Sequence, residues 1–337
     1  MIRVGMVGVG LISWFHENAY DQAGNVAKIA AVCDIDVERA KQRAERWGAS
    51  VYGDYRDLLA DDGVDAVDLT VPHHLHHEMA HAALSAGKHV LVEKPLAATA
   101  GEAEDLVTTA RGNGVTLALA ENTRFMEAYL AVERLLRTDG LGAIRLVRTF
   151  IAGSEVARLR DRSNWKGRKG QTRGGAILDA GAHSFYLLRW LFGGVATVGA
   201  SAAQLVAESE VEDHAIVSGR LVNGGLYTTE YTFTAEMPWT ERLEVYGSEG
   251  SILIDQLADP PAIHYRGAAD LEGVPLEARR DVALWKFHSV ASGVRDFVEA
   301  VAESRAPKVD PMDGVYALRV AERAYESAAA GGIEMAL

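Results

Sequence analysis

The chain has 337 residues, 48% hydrophobic and 24% charged, which is material for about two soluble domains, each with its own core. Its net charge of -13, from 34 basic and 47 acidic residues, disfavours nucleic acid and anionic membrane surfaces, although a locally basic site can still take an anionic substrate. The single cysteine, Cys33, excludes an intrachain disulfide and fits a reducing compartment; its apolar neighbours make it a buried small hydrophobe rather than a nucleophile.

The N-terminus, "MIRVGMVGVGLI", is apolar, but glycines interrupt it and no small-residue cleavage site follows. It reads as a strand and a turn, not a signal peptide. No run reaches the roughly 18 apolar residues of a membrane helix. A soluble cytoplasmic protein is expected.

In chain order, apolar runs occur at "IRVGMV", "AKIAAVC", "AVDLTV", "KHVLVE" and "VTLALA". Helical patterns separate them: "LISWFHENAYDQ", "DVERAKQRAERWG", "YRDLLADD", "HLHHEMAHAALSAG" and "TAGEAEDLVTTARGNG". This alternation predicts a doubly wound parallel sheet over residues 1–121, with helices on both faces. Gly48, Gly87 and Gly114 stand where helices close. From residue 122 onward the texture changes. One helix, "FMEAYLAVERLLRTDG", leads into strand-like runs at "AIRLVRTFIAG", "TVGASAAQLVA", "HAIVSGRLVNGGLYTTEYTFTA", "ERLEVYGSEGSILIDQ" and "PAIHYRG". "VNGG" is a hairpin signal. A helical stretch, "GGAILDAGAHSFYLLRWLFGG", interrupts the strands, and two helices close the chain. Residues 122–337 are therefore expected to form an α+β domain with an open, largely antiparallel sheet. With no repeat or low-complexity linker, the two domains are expected to join tightly.

The first strand runs into Gly8-Val9-Gly10-Leu11-Ile12-Ser13. This G-x-G-x-x-S pattern differs from the dinucleotide fingerprint only in its last small residue. Gly8 permits the tight turn, Gly10 admits a pyrophosphate, and the helix N-terminus at Leu11 and Ile12 faces the negative charge. Asp34, at the tip of the second strand, can accept the adenosine ribose hydroxyls and repel a 2′-phosphate, which favours NAD over NADP. Alternatively Asp34 caps the next helix, a task that Asp36 can also perform.

Val71 to Leu84, "VPHHLHHEMAHAAL", contains His77-Glu78-Met79-Ala80-His81, the H-E-x-x-H spacing of a zinc hydrolase. A zinc site needs a third ligand and a cleft. The apolar positions of this helix, Leu75, Met79, Ala82, Ala83 and Leu84, put both histidines on an outer or flanking face. No metal is expected.

"GMVGVGLIS", "VPHHLHHEMAHAALSAGKHVLVEKPLAATAGEAEDLV", "ENTRFMEAYL" and "GGAILDAGAHSFYLLRWLFG" follow one another in order. Together they resemble the Gfo/Idh/MocA family of glucose-fructose oxidoreductase and inositol dehydrogenase, over essentially the whole chain. "AGKHVLVEKPLA" is the most specific part. The resemblance implies a Rossmann domain, a second α/β domain, and NAD(P)-dependent oxidation or reduction of sugars and cyclitols. It implies that Lys94 of Glu93-Lys94-Pro95, and Asp179 and His183 of Asp179-Ala180-Gly181-Ala182-His183, are catalytic and hold substrate. A histidine is suited to take the hydroxyl proton as hydride leaves, a lysine stabilises the alkoxide, and an aspartate four residues before the histidine shares its helix face.

Thr70, Pro72 and His73, after "AVDLTV", lie where a nicotinamide half passes. His76 matches the family's usual histidine near the cofactor, whereas His73 replaces a common asparagine. Glu93 and Asn122 are expected in the same crevice. Arg124, Trp165 and Tyr186 are expected at the substrate; Tyr186 stands where many members carry aspartate. Two other functions fit the architecture: a glycosidase that uses NAD transiently, and a non-catalytic NAD-binding regulator. Retention of Lys94, Asp179 and His183 argues against the second. The open sheet predicts a homodimer or homotetramer.

Overall fold

The computed structural model describes residues 1–276 and 282–337. The N-terminal part alternates as the sequence predicts. Its elements are β1 (Ile2–Val7), α1 (Ser13–Gln22), β2 (Ala27–Cys33), α2 (Val37–Ala44), β3 (Ser50–Tyr52) and α3 (Tyr55–Leu59), then β4 (Ala66–Leu69), α4 (His76–Ser85), β5 (His89–Glu93), α5 (Ala100–Asn113) and β6 (Leu117–Ala120). The six strands pair in parallel in the order β3-β2-β1-β4-β5-β6. Strand β3 was not among the runs read from sequence: "SVY" is three residues long, and only its pairing with β2 makes it a strand. The order reverses between β1 and β4, and a doubly wound sheet binds its ligand at that reversal, outside the carboxyl ends of its strands.

The C-terminal part contains α6 (Glu127–Arg137), β7 (Ile144–Ala152), α7 (Val156–Arg160), α8 (Lys169–Thr172), α9 (Ala176–Asp179) and α10 (Gly181–Phe192). Strands β8 (Thr197–Ala203), β9 (His214–Arg220), β10 (Leu226–Thr232), β11 (Thr240–Gly247), β12 (Ser251–Asp255), β13 (Ala262–Tyr265) and β14 (Val274–Pro275) follow. Helices α11 (Val282–Glu303) and α12 (Pro311–Ala329) and the short β15 (Met335–Ala336) end the chain. Nine strands form a sheet in the order β14-β13-β12-β11-β7-β10-β9-β8-β15. It is antiparallel except that β7 and β10 run parallel. The reason is topological: four helices intervene after β7, and such a crossover returns the chain in the same direction. The β9–β10 hairpin turns at Asn223-Gly224, with Gly224 at φ 91°.

Two compact units result. The first joins Met1–Phe125 with Lys286–Val315, and the second joins Met126–Trp285 with Tyr316–Leu337. Residues 286–315 thus return to the first unit. In that unit Val4, Met6, Ile29, Val32 and Leu91 pack with Val290, Val294, Phe297 and Val298. In the second, Phe185 of α10 meets Tyr231 of β10 edge-on, and Thr149 of β7 bonds Ser184 at 3.0 Å. No helix among the described residues is long and apolar enough to cross a membrane.

Candidate active site

The glycine loop is built against the two strands flanking the order reversal. Gly8 has φ 84°, and a Cβ there would lie 2.8 Å from the Thr70 carbonyl oxygen after β4. Glycine is required on both counts. The Thr70 hydroxyl in turn donates to the Gly8 carbonyl. A Cβ on Gly10 would meet nothing within 4 Å, so the space over the loop is open. No side chain caps α1 at Ile12, and Leu11 is exposed. An uncapped helix N-terminus beneath open space is what a pyrophosphate needs.

Asp34 stands at the end of β2. Its Oδ2 accepts from the Val9 amide at 2.8 Å and its Oδ1 from the Asp36 amide at 2.9 Å. Capping of α2 falls to Asp36, which accepts from the Arg39 amide at 3.1 Å. The cap alternative for Asp34 is thereby removed. Arg39, the nearest cation, already leans on Asp34 and Asp36 at 3.4 Å each. A fixed carboxylate at this tip fits the adenosine ribose of NAD and opposes a 2′-phosphate.

Lys94 lies just past the carboxyl end of β5, half-buried, before a cis Lys94-Pro95 bond. Its backbone is pinned on both sides. The Lys94 amide donates to Glu93 Oε2 at 3.0 Å. His76 Nδ1 is 2.7 Å from the Pro95 carbonyl oxygen, while its Nε2 is 2.9 Å from that of Val71. His76 is fully buried, and burial lowers its pKa despite these carbonyls. No surface of the ring is exposed, so His76 holds the segment after Lys94 through the Pro95 carbonyl. His73 is also buried, with its ring edge-on to His76 at 5.6 Å. Pro72 sits at the start of the 3-10 turn that carries it. Asn122 donates to the Ser289 hydroxyl at 2.9 Å, and Arg124 is half-buried in the same 3-10 turn.

Beneath the sheet, sequence reading missed a buried cluster. His16 of α1 is 0% exposed, with Nδ1 2.8 Å from Asp68 Oδ2 on β4 and Nε2 3.0 Å from Glu93 Oε1 on β5. Tyr20 donates to the same Asp68 oxygen at 3.0 Å. Burial alone would lower the His16 pKa, but Asp68 and Glu93 outweigh it and push it up to about 10. Burial would raise Glu93, but the His16 hydrogen bond and charge, with Lys94 and Lys286, hold it down at about 2.

In the second unit, Asp179 ends α9 and His183 lies on the first turn of α10. Asp179 is 7% exposed and its Oδ2 is 3.0 Å from Lys166 Nζ, which also lies 3.9 Å from Glu155. These groups, with Thr172, Gly174 and Gly175, line one small cavity. The Gly174-Gly175 pair has a clear cause: a Cβ on Gly175 would sit 1.8 Å from the Glu212 carbonyl oxygen, which accepts from the Ala176 amide at 3.0 Å. Glu212 Oε1 takes the Gly175 and Ile177 amides at 3.1 Å each and the Tyr325 hydroxyl at 2.7 Å. Burial raises its pKa, against these donors. Trp165 is half-buried in the turn that presents Lys166. Tyr186 is 1% exposed and packs beside Trp190 at 6.2 Å, within the core. Lys166 and Glu212 were not singled out from sequence. Lys166 lies in "NWKGRKG", which carries no spacing signal, and Glu212 gave none.

The H-E-x-x-H residues are elsewhere. His77 and His81 lie on the outer side of α4, 2.8 and 3.7 Å from Asp105 of α5. Glu78 accepts from Tyr55 at 2.9 Å.

The profile of the oxidoreductase family with an NAD-binding Rossmann fold, GFO_IDH_MocA, matches residues 2–121, and that of the GFO/IDH/MocA C-terminal domain matches residues 129–253. A dTDP-3,4-didehydro-2,6-dideoxy-alpha-D-glucose 3-reductase of Actinomadura kijaniata is 31% identical, over 91% of this chain and 90% of that protein. Inositol 2-dehydrogenase 1 of Saccharopolyspora erythraea is 29% identical, over 99% and 97%. The structure of GenD2 from gentamicin A biosynthesis, in complex with NAD, superposes with a TM-score of 0.86 at 28% identity, covering 100% of this chain and 96% of that one.

Proposed function

Since the chain belongs to the Gfo/Idh/MocA oxidoreductase family, we propose that it is an NAD-dependent dehydrogenase or reductase acting on a ring hydroxyl or ketone of a sugar, cyclitol or glycoside. One observation carries the reading: the open glycine loop with its fixed Asp34, and Lys94, end strands of the same sheet on its carboxyl side. Relatives named for inositol and deoxysugar chemistry support the substrate class.

The glycine loop and the N-terminus of α1 hold the pyrophosphate, and Asp34 holds the adenosine ribose. NAD supplies the hydride acceptor. His183 takes the proton of the hydroxyl being oxidised, Lys94 stabilises the developing alkoxide, and Asp179 orients the sugar. Lys166, 3.0 Å from the Asp179 carboxylate, holds it in place. Residues 1–121 are proposed to serve the cofactor, and residues 122–337 the substrate and self-association. A second copy of the chain is proposed to cover the open sheet, in a cytoplasmic homo-oligomer; light scattering on the purified protein tests the assembly.

The activity test is NADH formation across aldoses, inositols, sugar acids and glycosides. Lys94→Ala should lower kcat by about 10²- to 10⁴-fold. A Lys94→Ala enzyme as active as the parent sinks the mechanism.

A further inference from the structure

We infer that His16 is a positioning residue for Lys94: by bridging Asp68 and Glu93 it ties the helix leaving the glycine loop to the strand end that carries the lysine. The inference rests on Lys94 acting in the reaction.

The geometry defines the charge of the bridge. Both ring nitrogens face carboxylate oxygens, at 2.8 and 3.0 Å. An ionised carboxylate only accepts, so a ring bonded to two of them must donate from both nitrogens, which makes it an imidazolium. The groups around it come from every neighbouring element. Tyr20, also on α1, donates to Asp68. On the same helix Glu17 is turned away toward Ser13 and Arg43. From β4 comes Asp68, whose Oδ1 has no hydrogen-bond partner. From β5 comes Glu93, with Lys94 beside it and Lys286 of α11 within electrostatic reach.

Buried ionic groups are costly compared with the valines and leucines that fill the rest of this core. What they add is direction. Apolar contacts can slide; two short charge-assisted hydrogen bonds fix a register. The chain of bonds continues to its target. Glu93 holds the ring through Oε1 and the Lys94 amide through Oε2. His16 lies six residues from Gly10, on the helix that the loop opens. One side chain thus links the place that holds the cofactor phosphates to the place that holds the reacting hydroxyl. Small displacements between such groups are expensive in rate.

The test combines variants with a measurement on the unaltered protein. His16→Gln and Glu93→Gln each break the chain of bonds, at opposite ends. Each should lower kcat by up to about 10²-fold, while the NAD dissociation constant of His16→Gln, read by fluorescence, stays at the parent value. The double variant, with two amides able to bond each other, should recover part of the loss. Nitrogen-15 histidine NMR of the parent protein should show one imidazolium that persists well above the ordinary histidine pKa of about 6.5. Lys94→Ala is assayed alongside. If it is inactive while folded His16→Gln and Glu93→Gln keep the parent kcat and pH profile, the inference is overturned and the proposed function stands. If Lys94→Ala is active, the proposed function itself fails. Should neither glutamine variant fold, the NMR decides: a neutral His16 at neutral pH overturns the bridge.

Discussion

Asp34 shows how one side chain can set a preference. Its carboxylate is fixed by the Val9 and Asp36 amides, so it cannot swing away from an incoming phosphate. Arg39 is the adjacent cation, held by Asp34 and Asp36 together. Asp34→Ser removes the fixed charge and releases Arg39 toward the ribose. The ratio of kcat/KM with NADP to that with NAD is then expected to rise by at least roughly tenfold, about 1.4 kcal/mol. Steady-state kinetics with both cofactors checks this; an unchanged ratio would show that Asp34 does not read the ribose.

At the scale of elements, two glycines of similar appearance have opposite duties. Gly175 lets the chain pass the Glu212 backbone at the entry to α9. Gly175→Ala forces the backbone apart and should cost about 1–3 kcal/mol of stability. Activity should fall with it, because α9 ends in Asp179. Gly10→Ala meets no protein atom within 4 Å. It should leave the melting temperature of the NAD-free protein unchanged and raise the KM for NAD, since its methyl fills the space over the loop. Equal losses of stability in the two variants would refute this division. Helix α4 makes a related point. Its outer histidines, His77 and His81, share Asp105, while the buried His76 holds Pro95. Exhaustive dialysis against a chelator is therefore expected to leave activity intact; a loss restored by zinc would reinstate the H-E-x-x-H motif as a metal site.

For the whole molecule, the buried cluster links stability to pH. His16 has its pKa raised from 6.5 to about 10, so its contribution is complete below pH 6.5 and is lost as pH rises through about 10. Glu93 is lowered from 4.5 to about 2, so its contribution is complete above pH 4.5 and is lost as pH falls through about 2. Thermal melts should therefore decline between pH 6.5 and 10, and the decline should be shallower in His16→Gln. Parallel curves for the two proteins would show that the cluster does not titrate with unfolding.

The sequence by itself determined what is local or periodic. Alternating apolar and helical textures gave the parallel sheet, and the order of its motifs pointed to the family. Gly8, Gly10 and Asp34 could be singled out because a tight turn, a phosphate cradle and a strand tip each restrict residue type at short spacing, whereas Lys94 came from the resemblance. Tertiary structure decided everything that depends on which face is covered and by what. The resemblance implied roles for His76 and Tyr186, but only folding shows that both rings are buried. Sequence pattern left Lys166 as a loop lysine until folding brought it to Asp179. It gave no sign of the bond between His16 and Glu93, 77 residues apart. Nor could strand patterns show that β7 and β10 run parallel, since alternation records a face and not a neighbour. Residue type and spacing constrain the backbone within a few turns of chain; long-range partners are chosen only when the whole core closes.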